Sequence, residues 1–328
     1  MKVLTIERCE QLIDNRDRIK SVFPWDGGLI HLCCAGIYSQ KGKTVNEEEL
    51  RSCKTLLKES VSVFSNFRST ARSPIASMLA VSDDPRQTLE NGLKVYELLK
   101  KGFWSSSYLP LTAMVIARLA EPSQYSQIAE RTREIYNRVK AEHPFLTSGE
   151  DSALCALMAL SEKTDDELIE DMEYCYEILK GNFFSSNSLQ SLSHVLALYD
   201  SSAEMKCERT MELFDKLKEA GCKYGMGYEL PTLGVLAMAN ADPDEVVREM
   251  VEIDEWLSEQ KGFGLLGGIT RKHRLMYAGI LAQRDYVEEN AFQTAAVNGT
   301  IAVIIAQEVA MCAAIAAGSA AASGNSSN

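Results

Sequence analysis

Residues 67–103 read FRSTARSPIASMLAVSDDPRQTLENGLKVYELLKKGF, and this stretch decides the fold. Ser73-Pro74 opens a helix, because proline at a first helical position gives up an N–H that would lack a partner anyway. Ile75, Ala76, Met78, Leu79 and Ala80 then form a short segment of small apolar residues. Ser82-Asp83-Asp84-Pro85 breaks that segment and caps the next one. In the second helix Leu89, Leu93, Tyr96, Leu98 and Leu99 recur at helical spacing, while Glu90, Lys94, Glu97 and Lys100 take the opposite face. Gly102-Phe103 ends it, the glycine being suited to a left-handed cap. The unit is helix A, tight turn, helix B, loop.

The same grammar extends in both directions. Aromatic residues that close a B segment stand at Phe23, Phe67, Phe103, Phe145, Phe183, Tyr224 and Phe263, with successive differences of 44, 36, 42, 38, 41 and 39. A period near forty marks a repeat architecture, in which each unit buries its apolar face against its neighbours. The A helices are expected at 29–38, 75–80, 113–119, 153–160, 189–198, 230–238 and 271–282. The B helices are expected at 47–64, 89–99, 128–139, 168–179, 205–217 and 246–257. Alternating β-branched runs are missing, so the chain reads as all-α. About six helix pairs fit either a curved solenoid or a closed α/α toroid. The expected organisation is an N-terminal capping helix over 1–24, a helical-repeat domain over 25–286, an Ala-rich helix over 287–322 and a polar tail over 323–328.

Charge and cysteine usage narrow the function classes. The net charge of -12 is spread along the chain and disfavours nucleic acid and anionic lipid. The one dense basic cluster is Arg271, Lys272, His273 and Arg274. Nine cysteines form no CxxC pair and mostly occupy apolar helical positions, the usage of a reducing cytoplasm. Glu7, Arg8 and Glu10 interrupt what a signal peptide would need as an apolar run. Residues 300–322, TIAVIIAQEVAMCAAIAAGSAAA, are long enough for a membrane span, yet Glu308 near the middle argues instead for a helix packed on the array or across a dimer.

The stretches HPFLTSGEDSALCALMAL, FFSSNSLQSLSHVLALYD, YGMGYELPTLGVLA and RKHRLMYAGILA resemble an uncharacterised bacterial family, the domain-of-unknown-function family four thousand and three. The resemblance runs over nearly the whole chain. It implies an all-helical bacterial protein and carries no assigned activity.

The loops that lead into the A helices hold the candidate site residues, since loops on a rigid scaffold gather binding groups. Candidates for binding are Trp25, Asp26, Trp104, Tyr108, Asn187, Gln190, Arg271, His273 and Arg274. Candidates for acid–base chemistry are Glu150, Asp151, His194 and Glu229, because paired carboxylates can act as general acid and base. Gln190, Ser193 and His194 share one helix face. The competing reading makes the Ser, Thr, Asp and Asn residues helix caps, the acids helix-dipole partners and His194 a core residue. No metal motif, P-loop or GxSxG occurs and no GxGxxG follows a strand, so no cofactor or metal is expected. Two functions remain. One is a binding or scaffold module that holds a small polar ligand or a partner segment on its A-helix face. The other is a hydrolase or lyase using carboxylates and a histidine.

Overall fold

A computed structural model describes residues 3–103, 108–224, 229–239, 241–263 and 269–290, with side chains as far as residue 282. Within them lie fourteen α-helices and no strand. In chain order these are α1 (Val3–Val22), α2 (Gly28–Gln40), α3 (Glu47–Ser60), α4 (Arg72–Ala80), α5 (Pro85–Leu99), α6 (Leu109–Leu119) and α7 (Tyr125–Glu142). They continue with α8 (Ser152–Leu160), α9 (Asp165–Leu179), α10 (Ser186–Ala197), α11 (Ala203–Glu219), α12 (Leu230–Ala237), α13 (Pro243–Ser258) and α14 (Arg271–Asn290).

The caps that start the B helices are those expected from the breaks. The side chains of Asp84, Thr164, Ser202 and Asp242 accept backbone N–H groups at the starts of α5, α9, α11 and α13. Each satisfies a donor that the first helical turn leaves without a partner, worth about 1 kcal/mol. The two helix types also differ in burial. Residues 73–80 of α4, 109–116 of α6, 152–159 of α8 and 230–237 of α12 are buried without a break. The B helices bury one stripe, such as Leu89, Val95, Tyr96 and Leu99 on α5. A helix that is apolar all round must be covered on all sides, whereas an amphipathic one keeps a solvated face.

Two compact units divide the described residues. In the unit of residues 12–160, α2 packs on α4, α6 on α8, α3 on α5 and α5 on α7, with α3–α4, α5–α6 and α7–α8 joining the two helix types. Here the closing aromatics lock onto the next B helix: Phe67 meets Tyr96 edge-on at 5.1 Å and Phe103 meets Tyr136 at 4.9 Å. The edge-to-face arrangement sets a positive ring edge against a negative ring face.

In the unit of residues 3–11 and 161–290, α10 packs on α12, α12 on α14, α9 on α11 and α11 on α13. Phe183 meets Phe214 edge-on at 5.0 Å. The A helices approach closely through glycine: a Cβ at Gly234 would lie 2.5 Å from Leu192 Cδ1, and one at Gly279 would lie 2.6 Å from Leu236 Cδ1. Thr5 in α1 donates to Glu249 on α13 at 2.9 Å, a buried hydrogen bond within this unit.

Four local expectations change. The helix expected to reach Phe64 stops at Ser60, where Val61 turns extended (φ -132, ψ 151); the β-branched Val61 and Val63 favour that backbone. Gly102 does not take a left-handed conformation. A Cβ there would meet Arg133 Cδ at 2.0 Å, so the glycine serves a close approach instead. Phe145 is 99% exposed rather than buried. The residue before Pro144 leaves the helix, and the following turn, with Leu146 and Thr147 N–H groups on the His143 carbonyl, carries Phe145 outward. Finally, α14 runs to Asn290, past the expected end at 282. The Ala-rich stretch from 291 onward, with its expected helix and tail, lies outside the described residues.

Candidate functional site

The richest polar grouping joins the starts of α12 and α14. Glu229 stands one residue before α12, where Thr232 Oγ1 donates to its backbone carbonyl at 2.5 Å. Its side chain is 1% exposed and meets Lys272 Nζ at 2.8 Å. A carboxylate this buried needs a partner charge to remain ionised, and the lysine reaches it from a half-exposed position. His273 follows on the same helix turn, with Thr270 Oγ1 2.8 Å from its Nδ1. Burial, and then the Lys272 charge, hold the imidazole below its ordinary pKa, against the opposing pull of Glu229. The ring is therefore neutral at neutral pH and able to accept a proton.

The two arginines of the basic cluster do something else. Asp254 on α13, 4% exposed, takes Arg271 Nε on one oxygen and Arg274 Nε on the other, each at 2.8 Å. Arg274 also donates to the Phe263 carbonyl at 2.8 Å. Arg271 donates to the carbonyl of Gly221 at 3.1 Å, and Gly221 holds φ +73, a backbone state that only glycine adopts without strain. These two expected ligand-binding cations thus brace the loops around α14, and Asp254 keeps the Arg271 guanidinium charged.

On α10, Gln190 and His194 are fully buried, as is Ser193 between them, whose hydroxyl donates to the Gln190 carbonyl at 2.8 Å. Asn187 is half-buried in the first turn of α10, and its carbonyl accepts from Ser191 at 3.2 Å.

In the unit of residues 12–160 the candidates separate into braced and exposed groups. Trp25 is 95% exposed. Asp26 is held by Arg72 at 2.9 Å and by a short hydrogen bond from Ser73. Tyr108 is half-buried at the N-cap of α6. Trp104 lies outside the described residues. Glu150 is half-buried and Asp151 fully buried. Asp151 Oδ2 accepts the Ser148 N–H at 2.8 Å in a capping box, while Oδ1 is buried without a hydrogen-bond partner. Burial pushes this carboxyl up to about 7, the Ser148 backbone hydrogen bond opposing and the Glu150 charge adding to the rise.

Lys272 is named from the sequence only as part of the basic cluster and Asp254 not at all, although a signal for Asp254 exists. It falls in register with the buried Met250, Ile253 and Leu257 on the apolar stripe of α13. An acid in that register must have a partner. Among the described residues no group of three or more His, Cys, Asp or Glu side chains is arranged to hold a metal ion. No described helix is long and apolar enough to cross a membrane.

The family described as "Protein of unknown function (DUF4003)" matches residues 15–310. The chain belongs to that family. The match spans both the Asp151 box and the Glu229–Lys272–His273 group, so both lie inside the DUF4003 domain. No curated protein and no solved structure matches the chain.

Proposed function

We propose that this DUF4003 protein is a binding module that holds a small polar ligand or a partner segment at the starts of its A helices. The group that receives it is Glu229, Lys272 and His273. One observation carries the reading: a buried carboxylate is paired to an ammonium that keeps one side toward solvent, beside a neutral imidazole. Such a set offers an acceptor, a donor and a titratable nitrogen where the starts of two helices meet, the complement of a zwitterionic or hydroxylated ligand. The reading takes the helix pairs as a repeat array, over 25–286, between an N-terminal cap and an Ala-rich C-terminal helix. The recurring edge-on aromatic contacts support it. Eight free, buried cysteines among the described residues support placement in the cytoplasm.

Thermal denaturation of the wild type and of a Glu229→Gln, His273→Asn variant against a broad panel of polar metabolites tests the proposal. A ligand that raises the wild-type Tm by several degrees and leaves the variant unmoved supports it, since binding to the native state stabilises by mass action. A panel that moves neither protein, or both equally, overturns it.

The second reading, a hydrolase or lyase, is favoured by the depressed His273 pKa. In the tautomer whose Nδ1–H donates to Thr270 Oγ1, Nε2 is the nitrogen that would take a substrate proton. Turnover that follows a single ionisation and disappears in His273→Asn would establish it over simple binding.

A further inference from the structure

On α9 and α11, away from the Glu229 group, two thiols meet. Cys175 is fully buried and Cys207 is 2% exposed, and the two share a thiol–thiol hydrogen bond. Cys207 Sγ also lies 3.9 Å from the Cys175 carbonyl, and Cys175 Sγ lies 3.8 Å from Asp171 Oδ1. Beside them is Lys206, fully buried and unusual for that reason, in a short ion pair with Asp171. Lys163 approaches the same Asp171 oxygen at 3.5 Å and donates to the carbonyls of Ala197 at 2.9 Å and Tyr199 at 2.6 Å. Lys163 also reaches Asp200 at 3.6 Å, so two ammonium groups and two carboxylates stand next to the thiols.

That surrounding distinguishes Cys207. The hydrogen bond from Cys175, and then the Lys206 charge, hold the Cys207 thiol below its ordinary range in spite of burial. Burial raises the thiols of Cys9, Cys53, Cys155 and Cys222. The thiolate is the nucleophile, so a lowered thiol beside a second thiol is the arrangement of a redox pair.

We propose that Cys175 and Cys207 form a reversible disulfide that links α9 to α11 when the protein meets a peroxide. The Cys207 sulfur attacks one peroxide oxygen and the O–O bond breaks. The departing oxygen takes up the thiol proton and leaves as water, and Cys207 becomes a sulfenic acid. The Cys175 sulfur then attacks that sulfur, the S–O bond breaks, and the hydroxyl leaves as a second water with the Cys175 proton. Two thiols lose two electrons and one peroxide becomes two waters. The sulfurs must come to the disulfide length of about 2 Å, a movement that two packed helices can absorb through side-chain rotation. A small oxidant is required because Cys207 is nearly covered.

Full-length protein is treated with stoichiometric hydrogen peroxide under native conditions and digested without reduction. The expected product is a Cys175–Cys207 linked peptide that dithiothreitol removes, together with a Tm raised by several degrees and restored on reduction. In Cys175→Ser the second step is blocked, so dimedone should label Cys207 as its sulfenic acid. The proposal is overturned if the native wild type yields no such linked peptide, or yields it only after unfolding in urea. It is equally overturned if Cys207 goes directly to the sulfinic acid with Cys175 still reduced.

Discussion

Two acidic residues occupy the same place in the sequence grammar, at the start of an A helix, and the structure gives them different partners. Asp151, before α8, has one oxygen on a backbone N–H and the other on nothing, and its carboxyl holds a proton up to about pH 7. Glu229, before α12, is equally buried but has Lys272 at 2.8 Å. Burial by itself penalises charge, and a counter-charge reverses the penalty. The residue type is therefore uninformative here, and the partner decides whether the position is a structural acid or half of a polar site.

The comparison can be broken first at Asp151. The unfolded carboxyl ionises near its ordinary value of 3.8 and the folded one at about 7. Between those values the native state binds the extra proton, so stability falls as pH rises through that window, a swing of about 4 kcal/mol. Asp151→Asn keeps an acceptor for the Ser148 N–H and removes the titration. Urea midpoints measured from pH 4 to 8 should decline in the wild type relative to a variant whose profile is flat in this respect. A wild-type profile parallel to the variant's would show that Asp151 is ionised.

Asp254→Ala comes next, because it strands two guanidinium groups that share one buried carboxylate. With Arg271 half-exposed and able to resolvate, a loss of about 3 kcal/mol is expected by denaturant titration. Loss of under 1 kcal/mol would mean that the arginines brace nothing. Glu229→Gln sharpens the contrast with a smaller cost, about 1–2 kcal/mol, as Lys272 turns toward water. The same change removes the carboxylate that raises His273, so the His273 pKa followed by NMR should drop further. An unchanged or higher value would contradict the grouping. Phe145→Ala is the smallest: at 99% exposure its removal should alter stability by no more than about 0.5 kcal/mol. Phe67→Ala, which empties a fully buried site, should cost about 3–5 kcal/mol.

Much of the fold was legible before any coordinates. The breaks at Asp84, Thr164, Ser202 and Asp242 signalled helix starts because a short polar side chain there satisfies a local donor. The contrast between all-apolar A helices and striped B helices was likewise readable, since each period records how many sides of a helix are covered. The site was less legible. Arg271, Lys272, His273 and Arg274 are four neighbours of similar charge, and nothing in their order says that the arginines turn to Asp254 while Lys272 turns to Glu229. Phe145 carried the same aromatic mark as its counterparts and went to the surface because a proline beside it redirected the loop.

By itself, then, the sequence determined the helices, their alternation and their caps, all of which rest on interactions within a few residues. The pairings that give charges their meaning join residues far apart: Glu229 with Lys272, Asp254 with two arginines, Cys175 with Cys207. Local propensity contains no information about which distant side chain will arrive. Only the packing of α9 on α11, α12 on α14 and α13 on α14 settled whether a buried polar group has a partner or stands alone.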